Sequence, residues 1–329
     1  MRWDPSDPRL QAGGVIKIAA IGGGTGLSTL IRGLKKYSNQ ISAIVAVTDD
    51  GSSSGKIRKE YDILPPGDLR QCISALAIDE KLLTKIFEYR FSKDKKIFGG
   101  HPLGNIWLTA LANQLGSLDK AIEATSGIFK LAGQVLPATL ENIKLKAKFS
   151  DGTTVSGESK ITAAGKNIDQ LYLDKKDVKA HKNAIAAINS ADLILIGPGS
   201  LFTSVIPNLL IYGIAKSILN NKKAVKIYIA NCSTERGETE NYGVAEHIET
   251  LQKYSSKKIV QHCLVNSHVV RQSAEDSKLG EINNITTAAS EIHNVKISRG
   301  DVVSAKNPLY HDSDKLAKTV IEIYNSNRA

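Results

Sequence analysis

Apolar residues along the chain cluster in short unbroken runs, and each run ends in a glycine-rich or polar turn. The first run, residues 15–21, leads into Gly22-Gly23-Gly24-Thr25-Gly26 and then a helical spacing over 27–37. The second, residues 41–47, ends in Thr48-Asp49-Asp50-Gly51. Strand, helix, strand is a βαβ unit, and its crossover is right-handed. Runs at 191–196, 225–230 and 259–265 are continuous rather than alternating, the pattern of parallel strands covered by helices on both faces. Helical spacing is predicted from about Asp68, through 86–91, over 105–115, after Ser200 as far as Ile218, over 242–254, and from about Ser313. A loop rich in Ser, Gly and Pro fills the gap before Asp68.

The middle of the chain breaks this pattern. Residues 143–149 and 153–155 flank Ser150-Asp151-Gly152, and Asp-Gly between two extended segments is a hairpin signal. The prediction is an α/β fold with a doubly wound, mostly parallel sheet and a β-hairpin insertion near 143–160, on the edge of the sheet or beside it. Residues 15–329 read as one domain. Residues 1–14 carry Pro5, Pro8 and scattered charges without an apolar signal core, and read as a disordered tail.

Composition narrows the class. Hydrophobic residues make up 42% of the 329 positions but aromatics only 5%, so the core is built mainly from Ile, Leu, Val and Ala. The net charge of +10 comes mainly from Lys. It reads as a solvated basic surface, which also attracts anionic ligands. Arg and aromatic residues are not interleaved, so nucleic acid is not the expected partner. Cys72, Cys232 and Cys263 are far apart, which points to a reducing, cytoplasmic setting and away from a structural metal cluster. No apolar run reaches the roughly 18 residues of a membrane span, so no membrane insertion is expected.

The candidate chemistry lies in the turns. Gly22, Gly23, Gly24, Thr25 and Gly26 join a strand to a helix, where glycine lets phosphate approach the backbone and the helix start offers free N–H groups. Gly24 and Gly26 fit the first two positions of a dinucleotide fingerprint, but Thr29 stands at the third, and no Gly-Lys-Ser/Thr follows as in a P-loop. Gly197, Pro198, Gly199 and Ser200 repeat the arrangement after a later strand. A ligand between these two turns is the sharpest expectation, because ligands bind where strand order reverses. Asp50, with Ser53 and Ser54 behind it, suits a polar contact to the ligand. The Asp49–Asp50 pair leaves Mg²⁺ as the one cofactor to consider. Asp68 reads either as a site residue or, with Gln71, as a helix capping box, and Arg70 as a phosphate clamp or a surface cation. Asn105 reads as a ligand contact or an N-cap, and His101 as a proton donor or a solvated loop residue. Residues 231–239, opening with Asn231, suit the lining of a pocket, although Glu238 and Thr239 also suit the cap of the next helix.

Taken together these stretches resemble the gluconeogenesis factor family, the YvcK-like branch of the CofD-like proteins. The resemblance rests on 22–27, 49–55, 65–70, Gly104-Asn105, 133–139, Gly157-Glu158-Ser159, 197–208, Gly237-Glu238-Thr239 and His311-Asp312. It implies a Rossmann-like fold, binding of UDP-sugars such as UDP-N-acetylglucosamine, and a role in cell shape and growth on gluconeogenic carbon sources. The sister branch is a Mg²⁺-dependent 2-phospho-L-lactate transferase, which is the alternative reading. Ser52, Glu235 and Tyr310 depart from the family's usual Gly, Gln and Arg. Binding without turnover is the expectation. No catalytic residue is assigned, and a homo-oligomer is left open.

Overall fold

The computed structural model describes residues 15–78, 82–268 and 283–328; the expected tail, 1–14, lies outside them. Eight strands form one sheet: β1 (Ile18–Gly22), β2 (Ile41–Val45), β3 (Gln134–Pro137), β7 (Leu193–Ile196), β8 (Val225–Ile229), β9 (His262–Asn266), β10 (Glu291–Ile292) and β11 (Val295–Gly300). Their order is β10-β11-β9-β8-β7-β1-β2-β3. Every pair is parallel except β10 with β11. Every residue of β1, β2, β7, β8 and β9 is buried, which is why those segments read as continuous apolar runs.

Strand order reverses at β1. The chain runs from β1 outward to β2 and β3, then returns on the other side of β1 as β7 and continues to β8, β9 and β11. Ile21 of β1 pairs with Ile196 of β7, so the two glycine turns leave the sheet side by side at this switch point. Both lie at the carboxyl ends of their strands, where doubly wound sheets open into a crevice.

The hairpin is present but belongs to something larger. Here β4 (Leu145–Phe149) pairs antiparallel with β5 (Thr154–Ser156), and β6 (Ile168–Leu173) adds on the far side of β4. The result is a separate three-stranded sheet beside the main one. The helices correct the sequence reading elsewhere. The first begins at Gly24, not Leu27, so the glycine turn is itself the first helical turn. Residues expected as loop form the Ser52–Tyr61 helix, whose Ser53, Ser54, Ile57 and Arg58 are buried; packing outweighs the weak helix propensity of Ser and Gly. The single helix expected after Ser200 is three pieces: a π-type turn at Leu201–Val205, then Ile206–Leu210 and Ile214–Asn220. The break falls at Gly213, which has φ +103. The Leu118–Phe129 helix and strands β3, β10 and β11 have no counterpart in the sequence reading.

The Gly24–Leu34 helix packs against both the Gly67–Leu76 helix and the C-terminal Ser313–Asn327 helix. Gly33 sets the second contact. A Cβ there would lie 2.0 Å from the Ser313 carbonyl oxygen and 2.7 Å from Ala317 Cβ. In an open helix interior, Gly→Ala gains up to about 1 kcal/mol. Gly33→Ala is expected to lose about 1–3 kcal/mol instead, because the added methyl must push two helices apart. Urea denaturation measures this, and an unchanged or raised midpoint contradicts the packing account.

Candidate functional site

A cavity of about 480 Å³ opens over the carboxyl ends of β1, β7 and β8. Gly23, Gly24, Thr25 and Gly26 line one wall, Gly199 and Ser200 a second, and Asn231 through Arg236 a third; Leu309, Tyr310 and His311 close it. Seven of the sequence-predicted residues therefore meet in one place. Gly22 and Gly197 lie just beneath, at the ends of their strands. A second cavity of about 670 Å³ lies at the opposite end of the sheet, beside Lys17, Gln40 and Gln134. Helix N-termini and their partial positive charge belong to the carboxyl end of a parallel sheet, so the first cavity is the one suited to an anion.

The glycines admit close neighbours. A Cβ on Gly26 would lie 2.6 Å from the Pro198 carbonyl oxygen, one on Gly197 2.9 Å from the Ile229 carbonyl oxygen, and one on Gly23 2.8 Å from Asp68 Oδ2. Gly24 has φ +61 and Gly199 φ +151. The two turns are thus pressed together, and only residues without a side chain fit between them. Asn208 ties the second turn to the first, its Nδ2 donating to the Gly22 carbonyl at 3.1 Å.

Carboxylates and amides hold the turns in place. Asp68 Oδ2 accepts the Gly24 N–H at 2.7 Å. The capping-box reading of Asp68 is overturned: Pro66 is the N-cap of its helix, and that end has no side-chain cap. Burial, with Asp49 nearby, raises the Asp68 carboxyl to about 7. Asn231 clasps the second turn, accepting the Gly199 N–H and donating to the Gly199 carbonyl, each at 3.1 Å. Glu235 accepts from Asn231 Nδ2 at 3.1 Å and from the Ser200 hydroxyl. Glu238 and Thr239 are not caps either, because the next helix starts at Val244, where Glu246 Oε2 accepts the Gly243 N–H at 2.8 Å. Glu238 Oε1 accepts from Thr203 at 3.0 Å and Thr162 at 3.1 Å, tying the small sheet's helix to the turn after β7. Burial and Glu235 push the Glu238 carboxyl up to about 7.

The other predicted residues sit outside the cavity. Asp50 Oδ1 accepts the Ser159 N–H at 2.8 Å and so holds the start of the Glu158–Ala164 helix. Ser53 Oγ takes the Asn105 amide at 3.0 Å and lies 2.9 Å from His101 Nδ1. Ser54 is buried under Gly67, where a Cβ would lie 2.4 Å from its Oγ. Asn105 is 1% exposed and is no N-cap, because its helix begins at Leu103. Its Oδ1 accepts from Arg70 Nε at 3.0 Å. Arg70 is buried and ion-paired with Glu88, which makes it neither a surface cation nor a cavity residue. Leu309 lines the cavity without having been singled out; Thr29, noted only as a break in the fingerprint, and Ser204, one helical turn after Ser200, line it too.

Among the described residues, no group of three or more His, Cys, Asp or Glu side chains is arranged to hold a metal ion. Asp49 and Asp50 are each engaged by backbone N–H groups, Gly51 for the first and Ser159 for the second. Among the same residues, no helix is long and apolar enough to cross a membrane.

The sheet and its cleft define a doubly wound α/β protein with a glycine-walled cavity at the switch point. The family described as 2-phospho-L-lactate transferase CofD matches residues 18–307, and the chain belongs to the CofD family. Its relatives there carry the name gluconeogenesis factor. The Halalkalibacterium halodurans protein is 38% identical over 311 residues, covering 93% of this chain and 95% of that one. The Listeria monocytogenes protein is 42% identical over 254 residues, covering 77% and 78%. A crystal structure of a Bacillus halodurans protein superposes with a TM-score of 0.89 at 37% identity, covering 94% of this chain and all of that one.

The raised Asp68 carboxyl has a signed consequence. Its ordinary value is 3.8 and its folded value about 7, so between these the folded chain holds a proton that the unfolded chain has released. Stability from this group is full below about pH 4 and declines as pH rises to about 7. Asp68→Asn, which keeps an acceptor for Gly24, is expected to flatten part of that decline in denaturation midpoints. A slope identical to wild type contradicts the assignment.

Proposed function

We propose that the protein is a nucleotide-sugar-binding regulatory factor, with a ligand of the UDP-N-acetylglucosamine type, acting in growth on gluconeogenic carbon sources and in cell shape. The observation that carries this reading is the cavity between the two glycine turns. Its volume of about 480 Å³ falls within the usual range for small-ligand sites, about 300–1,000 Å³. One wall is the first turn of the Gly24–Leu34 helix, whose leading N–H groups lack intrahelical acceptors and favour an anion. Ser200 and Ser204 on the facing wall add hydroxyl donors for a diphosphate. The name gluconeogenesis factor, carried by the relatives, supports the gluconeogenic part of the proposal.

Regulation follows from where the ligand lies. A diphosphate spanning both turns would bind the closed arrangement better than a separated one and so shift the population toward it. In this reading the cleft binds without turnover. A transferase reading has one observation in its favour: Asp68 and Glu238 both titrate near 7, as proton-transfer groups do. Incubation with UDP-N-acetylglucosamine and Mg²⁺, followed by chromatography, separates the two. Product above a buffer control would make the enzyme reading the better one.

Binding itself is tested by thermal shift. A ligand at about 100 times its Kd adds about 2.7 kcal/mol to stability, so UDP-N-acetylglucosamine is expected to raise the wild-type midpoint by several degrees. Ser200→Asp places a charge against the phosphate and is expected to abolish the rise while the protein stays folded. An equal rise in the variant, or none in wild type, sinks the proposal.

A further inference from the structure

Glu235 stands where an anion would be least welcome. It lines the same cavity as Ser200 and Asn231 and takes the Ser200 hydroxyl and the Asn231 amide as its own donors. Its backbone is pinned: the Glu235 N–H donates to Thr239 Oγ1 at 2.9 Å, and its carbonyl accepts from the Thr239 and Glu238 N–H groups at 2.9 and 3.2 Å. The side chain is therefore not free to swing far from the cleft. Among the described residues no ion pair neutralises it. The groups that face it are Glu238 and Arg236 from its own turn, Tyr228 from β8 beneath, Ser200 from the turn after β7, and Tyr310 and His311 across the cavity. Glu238 is itself an acid with Oε2 buried and unpartnered, and His311 is kept neutral by burial, titrating at about 4.

We propose that Glu235 meets the ligand as a neutral carboxylic acid, so that each bound phosphate-bearing anion brings one proton into the cleft. This rests on the proposed function only in taking the cleft to bind an anion. A phosphate oxygen accepts hydrogen bonds and donates none, so an ionised Glu235 beside it offers repulsion and competes for Ser200. A protonated Glu235 reverses both effects. One of its oxygens keeps the Asn231 amide, the other gains an O–H that donates to phosphate, and the Ser200 hydroxyl is released to do the same. The balance is simple: a proton leaves the buffer for the carboxylate on binding and returns on release, with no other bond made or broken. Burial already raises the proton affinity of Glu235, the direction the neutral form requires. The same requirement makes Glu235 a selectivity element. It favours ligands that present a hydrogen-bond acceptor at this wall and penalises the ligand's anion as pH rises.

Two probes decide the matter, both fully ionised across the working range: UDP-N-acetylglucosamine and sulfate. Calorimetric titration with chelator present, in two buffers of different ionisation enthalpy, counts protons. Wild type is expected to take up close to one proton per ligand at pH 8, and its affinity to fall toward about tenfold per pH unit on the alkaline side. At pH 8 Glu235→Gln is expected to lose that proton uptake, and at about pH 8.5 to bind more tightly than wild type. If UDP-N-acetylglucosamine does not bind but sulfate does, with proton uptake abolished in Glu235→Gln, the nucleotide-sugar reading fails and this inference stands. Binding of either anion by wild type without proton uptake overturns the inference, as does unchanged uptake in Glu235→Gln. Failure of both anions to bind also overturns it, as does a strict need for Mg²⁺. The wild-type proton count needs no variant, so a folding defect in Glu235→Gln does not rescue the idea.

Discussion

Two backbone turns pressed against each other with no side chain between them are the constraint on which the rest of this structure depends. Gly26 meets the Pro198 carbonyl at a separation no Cβ tolerates, and Gly199 sits 3.3 Å by the same measure from the Gly23 carbonyl oxygen. A Cβ at Gly26 would force the backbone apart, and at Gly199 the φ of +151 disfavours any side chain. β1 and β7 are neighbours, so the turns meet only because strand order reverses there. The sheet topology, the glycines and the cleft are thus one arrangement described at three scales. Asp68 and Asn231, each bonded to a turn glycine, fix the arrangement from either side.

That arrangement concentrates acids where the sheet is driest. Asp68, Glu158, Glu235 and Glu238 all lie near the carboxyl ends of the strands, and burial raises the proton affinity of each. Thr48 bonds Glu158 at 2.9 Å, and Thr203 and Thr162 bond Glu238. Hydrogen bonds of this kind offset only part of the desolvation cost of a buried carboxylate. Such a concentration gives up stability at neutral pH, which is common where a site is held ready for a ligand. The small sheet contributes here. Its Glu158–Ala164 helix reaches into the cluster through Glu158 and Thr162 and ties the insertion to the switch point.

Much of this was legible in the sequence, and the failures have physical causes. Buried parallel strands announce themselves as unbroken apolar runs, so β1, β2, β7, β8 and β9 were readable, as were both glycine turns and Asn231. Periodicity says nothing of edge strands as short as Glu291–Ile292. It says equally little of the Ser52–Tyr61 helix, whose buried face is serines and an arginine. Capping patterns misled at Asp68, Asn105 and Glu238, because a carboxylate or amide near a helix start looks the same whether it bonds its own helix or a distant turn. Ser53 and Asn105 were each expected at the ligand, yet they belong to a network with Arg70 and His101 rather than to the cavity. Tyr310 and His311 were noticed only through the family resemblance; their place at the cleft, held in part by the antiparallel bridge of His311 to Val303, leaves no periodic signal.

Amide hydrogen exchange with and without UDP-N-acetylglucosamine tests the central claim most directly, because it reports where a ligand acts rather than whether one binds. The account predicts slowed exchange confined to three segments far apart in sequence: 23–29, 199–204 and 231–236. It predicts little change at the strand starts around Lys17 and Gln134. Protection at that opposite end of the sheet, or on only one of the two glycine turns, would contradict the claim that the paired turns form the binding site.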